Sequence, residues 1–457
     1  MEERAGTGQG VTLVTARDAA GPGAVTPPVV PGTRLEVRID AIGSDGAGVG
    51  RAPAGQVVFV PRTAPGDLAV VEVVRARPRW LRARLLEVRN RAEGRREAAC
   101  PYFDRCGGCA LQHLSYAEQL AAKGRMVTNA LTRIGGQSSL PPLTMHPAPD
   151  GTRYRNRITL GLVRLSGGRV LAGFRRLERP AEIIDVDGRC LLPESPVAVA
   201  WDALRSAWGT GARRLPAGRT LRLTLRGSAA GQVMLVVEGG KGRGDPNHLR
   251  RHVPGLVSIW QRPRSRSGAP RLLAGEATLR DRWQGEDLDI GPDVFLQANR
   301  EGAAALQGEV VRLAGRVNGK RVLDAYSGYG GLGRRLARAG AQVVAIDEDP
   351  GAARMASRMP GGRFLHLVGT VEERLQEALP SDIVILNPPR IGVRNGVMEA
   401  LSDAEPTRII YTSCDPATLA RDIRRLGGGY RIVRLHGFDL FPQTSAVETV
   451  AVLQRSV

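Results

Sequence analysis

The sequence predicts an α/β protein: a C-terminal doubly wound parallel sheet, preceded by a small β-barrel and a mixed α+β segment that carries four cysteines. Three observations predict it. From about residue 300, apolar strands alternate with helices, and each strand ends in a polar cluster. Between 33 and 91, short alternating β segments are separated by Gly, Pro and Asp turns. Between these regions, a loop with three cysteines opens a stretch of mixed strands and helices.

Composition bounds the function. The chain has 457 residues, too many for one typical domain. Lys and Arg total 65 against 45 Asp and Glu, a formal charge of +20. The only lysines are Lys123, Lys241 and Lys320, so the basic side chains are almost all Arg. A bias toward Arg explains the missing lysine but not the excess of cations, which points to nucleic acid. No apolar run reaches the ~20 residues that span a bilayer, and MEERAGTGQG lacks the basic-then-apolar order of a signal peptide. A cytoplasmic protein is expected. No coiled-coil pattern or internal repeat is evident, so a monomer is the default.

The elements follow in order. Residues 1–32 are rich in Gly, Ala, Pro and Thr without periodicity and read as a disordered tail. RLEVRIDAI, QVVFVP, LAVVEVV and RARLLEV read as strands of an OB-like barrel at 33–91. It is dotted with Arg34, Arg38, Arg51, Arg62, Arg75, Arg77, Arg79, Arg82 and Arg84. The central region, 92–290, holds the cysteine loop, a helix from about Ser115 to Ile134, and strands such as RITLGLV, TLRLTLRG and QVMLVVEG. The last region, 291–457, opens with the helix EGAAALQGEVVRLAG and continues with the strands KRVLDAYSG, AQVVAIDED, DIVILNPP and RIIYTSCDP.

Cys100, Cys106 and Cys109 have the spacing C-x5-C-x2-C, and Cys190 stands in VDGRCLLP. Thiolates are soft ligands, and four of them suit zinc or an iron–sulfur cluster. Zinc sites more often come as two C-x2-C pairs. The three-plus-one arrangement favours [4Fe–4S] over zinc, with unligated thiols the remaining reading.

In VLDAYSGYGGLG, Gly328, Gly330 and Gly333 satisfy G-x-G-x-x-G, and Asp347 ends the next strand. Such a loop lets backbone approach a ligand while the carboxylate bonds ribose hydroxyls, in dinucleotide and S-adenosylmethionine sites alike. Asn387, Pro388, Pro389 and Arg390 form a stiff loop after a buried strand, of a kind common in methyltransferases. Cys414 ends the next strand among Thr412, Ser413, Asp415 and Pro416. A lone cysteine there is ordinarily a small apolar residue, but this polar edge makes it a candidate nucleophile. Glu448 interrupts an apolar closing strand, either as a salt-bridged strand residue or as a functional carboxylate.

Taken together, these residues resemble the RNA uridine-C5 methyltransferases of the iron–sulfur type, over nearly everything after the tail. The barrel resembles the family's TRAM RNA-binding domain. CPYFDRCGGCALQH is similar to its cluster loop, VFLQANREG to its Phe-x-Gln-x-Asn segment, YTSCDPATLARD to its nucleophile motif and DLFPQTSAVE to its terminal motif; YRNRITL is another shared landmark. The resemblance implies a Rossmann-like S-adenosylmethionine methyltransferase domain at 291–457. Cys100, Cys106, Cys109 and Cys190 would bind a [4Fe–4S] cluster. Gln297, Tyr326 and Asp347 would bind S-adenosylmethionine, with Asn387 beside it. Cys414 would be the nucleophile and Glu448 the general base. The RNA would be ribosomal of the 23S type in preference to tRNA.

The sequence departs from the family's pattern at Asn387, where Asp is usual, at Ala446, where His is frequent, and at Thr370, where Asn or Asp is frequent. Three competing readings are a base-amine methyltransferase using the Asn387-Pro-Pro loop, an RNA-binding protein with a degenerate catalytic domain, and a hydride-transfer enzyme. The intact Cys-Asp-Pro and the terminal Glu weigh against all three.

Overall fold

A computed structural model describes residues 13–14, 29–264, 268–357 and 362–456. The chain forms two compact units. The first contains residues up to Ala99, with Cys109–Ala122 and Gln443–Ser445; the second contains Cys100–Gly108, Lys123–Pro442 and Ala446–Val457.

In the first unit the strands are β1 (Leu13–Val14), β2 (Arg34–Ile42), β3 (Gly48–Arg51), β4 (Val57–Val60), β5 (Leu68–Ala76) and β6 (Trp80–Asn90). Pairing runs β2-β3-β4-β6-β5, and β5 returns to β2, so five strands close into a barrel. Its inward side chains, among them Leu35, Val37, Val58, Val71 and Leu81, are buried. Closure removes the unpaired edges that an open sheet of this size would expose. Of the expected tail, Leu13–Val14 pair in parallel with Arg34–Leu35; residues 1–12 and 15–28 lie outside the described residues. The barrel's arginines are not all available to a polyanion: Arg82 pairs with Asp45 and Arg84 with Glu72, and Arg62 donates to the Cys109 carbonyl at 2.9 Å.

Helix α1 (Tyr116–Arg133) runs from the first unit into the second, and β7 (Leu143–His146) follows. Next come β8 (Arg157–Arg164), β9 (Val170–Gly173), α2 (Ser195–Ala207), β10 (Thr220–Gly227), β11 (Val233–Glu238), α3 (Pro246–His252), β12 (Leu256–Arg262) and β13 (Arg271–Gly275). They make a six-stranded sheet, β13-β12-β11-β10-β8-β9. α2 and α3 bury Trp201, Leu204 and Leu249 in its core. β14 (Leu279–Trp283) and β15 (Glu286–Ile290) form a hairpin.

The remaining elements are α4 (Arg300–Ala314), β16 (Arg321–Ala325), α5 (Gly331–Arg338), β17 (Gln342–Asp347), α6 (Pro350–Ser357), β18 (Phe364–Val368), α7 (Val371–Ala378), β19 (Ile383–Leu386), α8 (Val397–Ala404), β20 (Arg408–Ser413), α9 (Pro416–Leu426), β21 (Tyr430–Phe438) and β22 (Glu448–Arg455). Their sheet has the order β18-β17-β16-β19-β20-β22-β21-β7. β16 to β20 are parallel, and β22 runs antiparallel to both β20 and β21. Residues of α1, α7, α8 and α9 share one core with this sheet, and residues of α4 and α5 share another. That is the doubly wound architecture read from the alternation, with two differences. The last pairings are antiparallel, and β7, from the expected central region, completes the sheet beside β21. The boundary expected at 291 therefore does not separate the layers cleanly. The expected cysteine loop is also divided, since Cys109 belongs to the first unit and Cys100 and Cys106 to the second. Among the described residues, no helix is long and apolar enough to cross a membrane.

One buried ion pair anchors the approach to the last strand. Lys123 Nζ donates to Asp439 at 2.5 Å and to the Phe441 carbonyl at 3.1 Å, and both charged side chains are fully buried. Burial pulls the Lys123 ammonium below its ordinary pKa, and the Asp439 charge opposes it. Breaking such a pair strands a charge, whereas replacing both members with apolar residues does not. Lys123→Met should therefore cost about 3–5 kcal/mol of unfolding free energy, and Lys123→Met with Asp439→Leu should recover most of it. Urea denaturation of the full chain reads both.

Candidate active site

The carboxyl ends of β16, β17, β19 and β20 carry the polar residues that the sequence singles out. At the end of β16 the chain turns through Tyr326, a non-glycine residue at φ 61°. That left-handed conformation costs roughly 1–3 kcal/mol and must be held by its surroundings; the Tyr326 hydroxyl bonds Glu372 at 3.2 Å. Gly328 and Gly330 follow at φ 57° and 76°, and Gly330 caps α5. A side chain at Gly333 would meet the Phe364 ring at 2.8 Å and an Asp324 oxygen at 3.0 Å. Asp347, half-buried at the end of β17, accepts the Gly328 N–H at 2.7 Å and the Asp349 N–H at 2.9 Å. The loop and the carboxylate are thus coupled through the Gly328 N–H.

Asp324 is a residue that the sequence reading missed. It lies under the glycine loop, almost fully buried, and accepts the Gly333 N–H at 2.9 Å. Burial, reinforced by the Asp347 charge, pushes its carboxyl up to about 7, while the Gly333 bond opposes the rise. The signal was visible as an acid inside the apolar strand VLDA. Gln297 is half-buried on the segment before α4, and its carbonyl accepts from Asn156 at 3.0 Å. Neighbouring Val294, Leu296 and Ala303 pack in one cluster with Tyr329 of the glycine loop and Ala352 of α6.

Cys414 and Glu448 are brought together by strand register. β20 and β22 pair antiparallel, with Ser413 opposite Thr449. The ladder ends there; Cys414 follows Ser413 and Glu448 precedes Thr449, and the Glu448 charge acts on the Cys414 thiol. Glu448 is 4 % exposed, and burial pushes its carboxyl up to about 7 against the pull of Arg390. Cys414 is half-buried. Burial first, and the Glu448 charge second, raise its thiol above the ordinary value, while Arg390 opposes both.

Arg390 therefore acts on both groups, and the Asn387–Arg390 loop that carries it is braced by α9. Thr418 donates to the Arg390 carbonyl at 3.1 Å and Arg421 to the Ile391 carbonyl at 2.7 Å. Fully buried Asp422 accepts from Val393 N–H at 3.1 Å and from the Tyr411 hydroxyl at 2.7 Å. Asn387 itself is exposed, with its N–H directed to the Ala325 carbonyl. Thr370 caps α7 by a reciprocal bond with Glu373. The bracing by Asp422 had no sequence signal, because an acid on a helix face reads as solvated.

The loop with Cys100 and Cys106 is tied to the segment bearing Cys190 within the second unit. Cys106 bridges to Arg176, Gly107 N–H donates to the Arg175 carbonyl at 2.9 Å, and Arg189 bonds the Tyr102 hydroxyl at 3.1 Å. Cys106 and Cys190 are buried.

If Glu448 titrates as its burial requires, the folded protein holds a proton between about 4.5 and 7 that the unfolded chain releases. Its stability should then fall as pH rises through that window, by on the order of 3 kcal/mol. Asp324, pushed up to about 7 as well, adds a fall of its own over the same range, so Glu448→Gln should remove only the Glu448 share, roughly half of the dependence, as urea midpoints measured from pH 4.5 to 8 would show.

Comparison with known proteins identifies the family. Residues 28–86 match the TRAM domain and residues 370–456 match tRNA (Uracil-5-)-methyltransferase. An uncharacterized RNA methyltransferase of Gloeobacter violaceus is 35% identical, over 94% of this chain and 99% of its own. One from Nostoc is 32% identical, over 92% of this chain and 96% of its own. The crystal structure of Pyrococcus abyssi tRNA (uracil-54, C5)-methyltransferase with S-adenosyl-L-homocysteine matches with a TM-score of 0.71 and 29% identity, over 92% of this chain and all of the other. The chain belongs to the tRNA (uracil-5-)-methyltransferase family of S-adenosylmethionine-dependent RNA methyltransferases, with a TRAM domain at its N-terminal side.

Proposed function

We propose that this enzyme methylates carbon 5 of a uridine through a covalent adduct with Cys414, with Glu448 as general base. The observation that carries the reading is the strand-end pairing of a half-buried thiol with a carboxyl raised to about 7. Carbon 5 of uracil is a weak nucleophile. Addition of the Cys414 thiolate at carbon 6 forms an S–C6 bond and pushes the ring electrons toward carbon 5. S-adenosylmethionine, when bound, would supply the electrophilic methyl group for that carbon and leave as S-adenosylhomocysteine. Glu448 then takes the proton from carbon 5, the C5–C6 double bond reforms, and the Cys414 thiolate leaves. A carboxylate that titrates near 7 accepts such a proton more readily than an ordinary one. Arg390 favours both anions, the thiolate before addition and the carboxylate before proton removal.

The glycine loop, Asp347, Tyr326 and Gln297 would hold the cofactor, with Asn387 beside it. At Gly328, φ 57°, an added side chain would meet nothing within 4 Å, which leaves that backbone open to close approach, whereas Gly330 packs against the Phe364 ring. In this reading Cys100, Cys106 and Cys190, with Cys109 as the fourth thiolate, hold a [4Fe–4S] cluster in a structural role. An all-thiolate donor set on a glycine-bearing loop fits such a cluster. The arginine-bearing barrel would contact RNA phosphates in a cytoplasmic, monomeric enzyme. The sequence reading favours ribosomal RNA, and the matched archaeal enzyme is named for tRNA, so the substrate is tested against both.

Undermodified total RNA incubated with S-adenosylmethionine and enzyme, then digested and read by mass spectrometry, should yield 5-methyluridine. Fragment mapping then separates 23S-type ribosomal RNA from tRNA. Cys414→Ala should abolish the product, and Glu448→Gln should lower turnover by about 10²–10⁴-fold. A methylated adenine or guanine, or an active Cys414→Ala enzyme, would transfer the chemistry to the Asn387 loop.

A further inference from the structure

Another group of ligand-type side chains lies in the second unit, and none of its members is among the residues assigned to methyl transfer. His146 ends β7, His436 lies in β21 and Glu309 in α4. β7 pairs in parallel with β21, with Phe438 opposite His146, so the two imidazoles come from neighbouring strands. His146 Nε2 and His436 Nδ1 are 3.0 Å apart. The same Nδ1 is 3.5 Å from a Glu309 carboxylate oxygen. One ligand atom from each residue lies within 4.8 Å of those of the other two.

A histidine–histidine hydrogen bond explains only part of this arrangement. His436 Nδ1 faces both an imidazole nitrogen and a carboxylate oxygen. A proton on Nδ1 can serve one of them, and a bare Nδ1 turns its lone pair toward the carboxylate. A cation placed among the three atoms satisfies all of them at once. The side chains are also held for that purpose. His146 stacks on Phe438 with ring centroids 4.2 Å apart. Arg312 donates to both oxygens of Glu309, at 2.8 and 2.5 Å, and its side chain is 65% exposed, so it can swing toward solvent.

We propose that His146, His436 and Glu309 form a divalent transition-metal site, suited to zinc, that clasps α4 to the strand pair β7–β21. Two imidazoles and one carboxylate are a zinc donor set, and three protein ligands leave a fourth position for water. The ion would cross-link the added edge strand, which is joined to β21 by a register of only four residues, to a helix of the methyltransferase core.

The test uses the full chain, purified anaerobically and loaded with iron so that its cysteines are occupied. Zinc chloride is added, and zinc retained per chain after gel filtration is measured together with the thermal midpoint. Wild type should retain one equivalent and melt several degrees higher. His146→Asn with His436→Asn should retain none and show no shift, and Glu309→Gln should bind at least about tenfold more weakly. Melting of each variant without zinc verifies that it folds. Cobalt provides a second readout: nitrogen and oxygen ligands leave its spectrum without the intense near-ultraviolet band of thiolate-bound cobalt. Zinc that wild type fails to retain, or that the histidine variant retains equally, would overturn the proposal, as would a thiolate band on cobalt binding.

Discussion

The arrangement depends on one reversed strand, β22, in a sheet whose other strands run parallel. In β16 to β20 every strand runs the same way, so each contributes functional residues only from its carboxyl end. β22 reverses, and its first residue therefore meets the last residues of β20. That reversal is what allows an acid at the start of one strand to face a thiol just past the end of another. β22 lies between β20 and β21 and Glu448 is buried, and its raised pKa follows from that burial, which the nearby Arg390 opposes. A one-residue slip of this ladder would turn Glu448 to the opposite face. The register is protected by the apolar residues Val450, Ala451, Val452 and Leu453, all buried.

The surrounding structure maintains this edge. Lys123 and Asp439 fix the chain between β21 and β22 from within the core, so the path into Glu448 is set by a buried ion pair as well as by apolar packing. On the other side, Asp422 joins β20, α9 and the loop after Asn387 through its two carboxylate oxygens. Arg390 is thereby presented to the thiol and the acid by a braced loop. The glycine loop, with Asp324 beneath it and Asp347 across it, forms a second rigid feature on the same sheet edge. Rigid placement of this kind is what positioning two reactants demands.

Much of this was legible in the sequence, for physical reasons. Glycines at Gly328, Gly330 and Gly333 mark a backbone that must turn tightly, and an acid at the next strand's end marks its partner. Cys414 stood out because it ends a buried strand among the polar residues Thr412, Ser413 and Asp415, and Glu448 because a carboxylate in an apolar strand needs an explanation. What the sequence did not disclose was non-local. The strand LTMH at Leu143–His146 is too short to show its period, and only pairing with β21 identifies it. Barrel closure by β2 and β5 joins residues 30 to 38 positions apart, which local pattern cannot reveal. Nothing in the local pattern around Asp422 marks it as buried; packing places it against Tyr411. The division of the cysteine loop between two units likewise follows from long-range contacts, not from spacing.

The central claim is that Cys414 attacks carbon 6 of the target uridine. RNA transcribed with 5-fluorouridine tests it directly, because fluorine at carbon 5 cannot be removed as a proton and the adduct should persist. After incubation with S-adenosylmethionine, nuclease and protease digestion and mass spectrometry should find a methylated fluorouridine nucleotide attached to the peptide containing Cys414. Attachment through any other residue, or turnover on ordinary RNA with no adduct on the fluorinated one, would contradict the account.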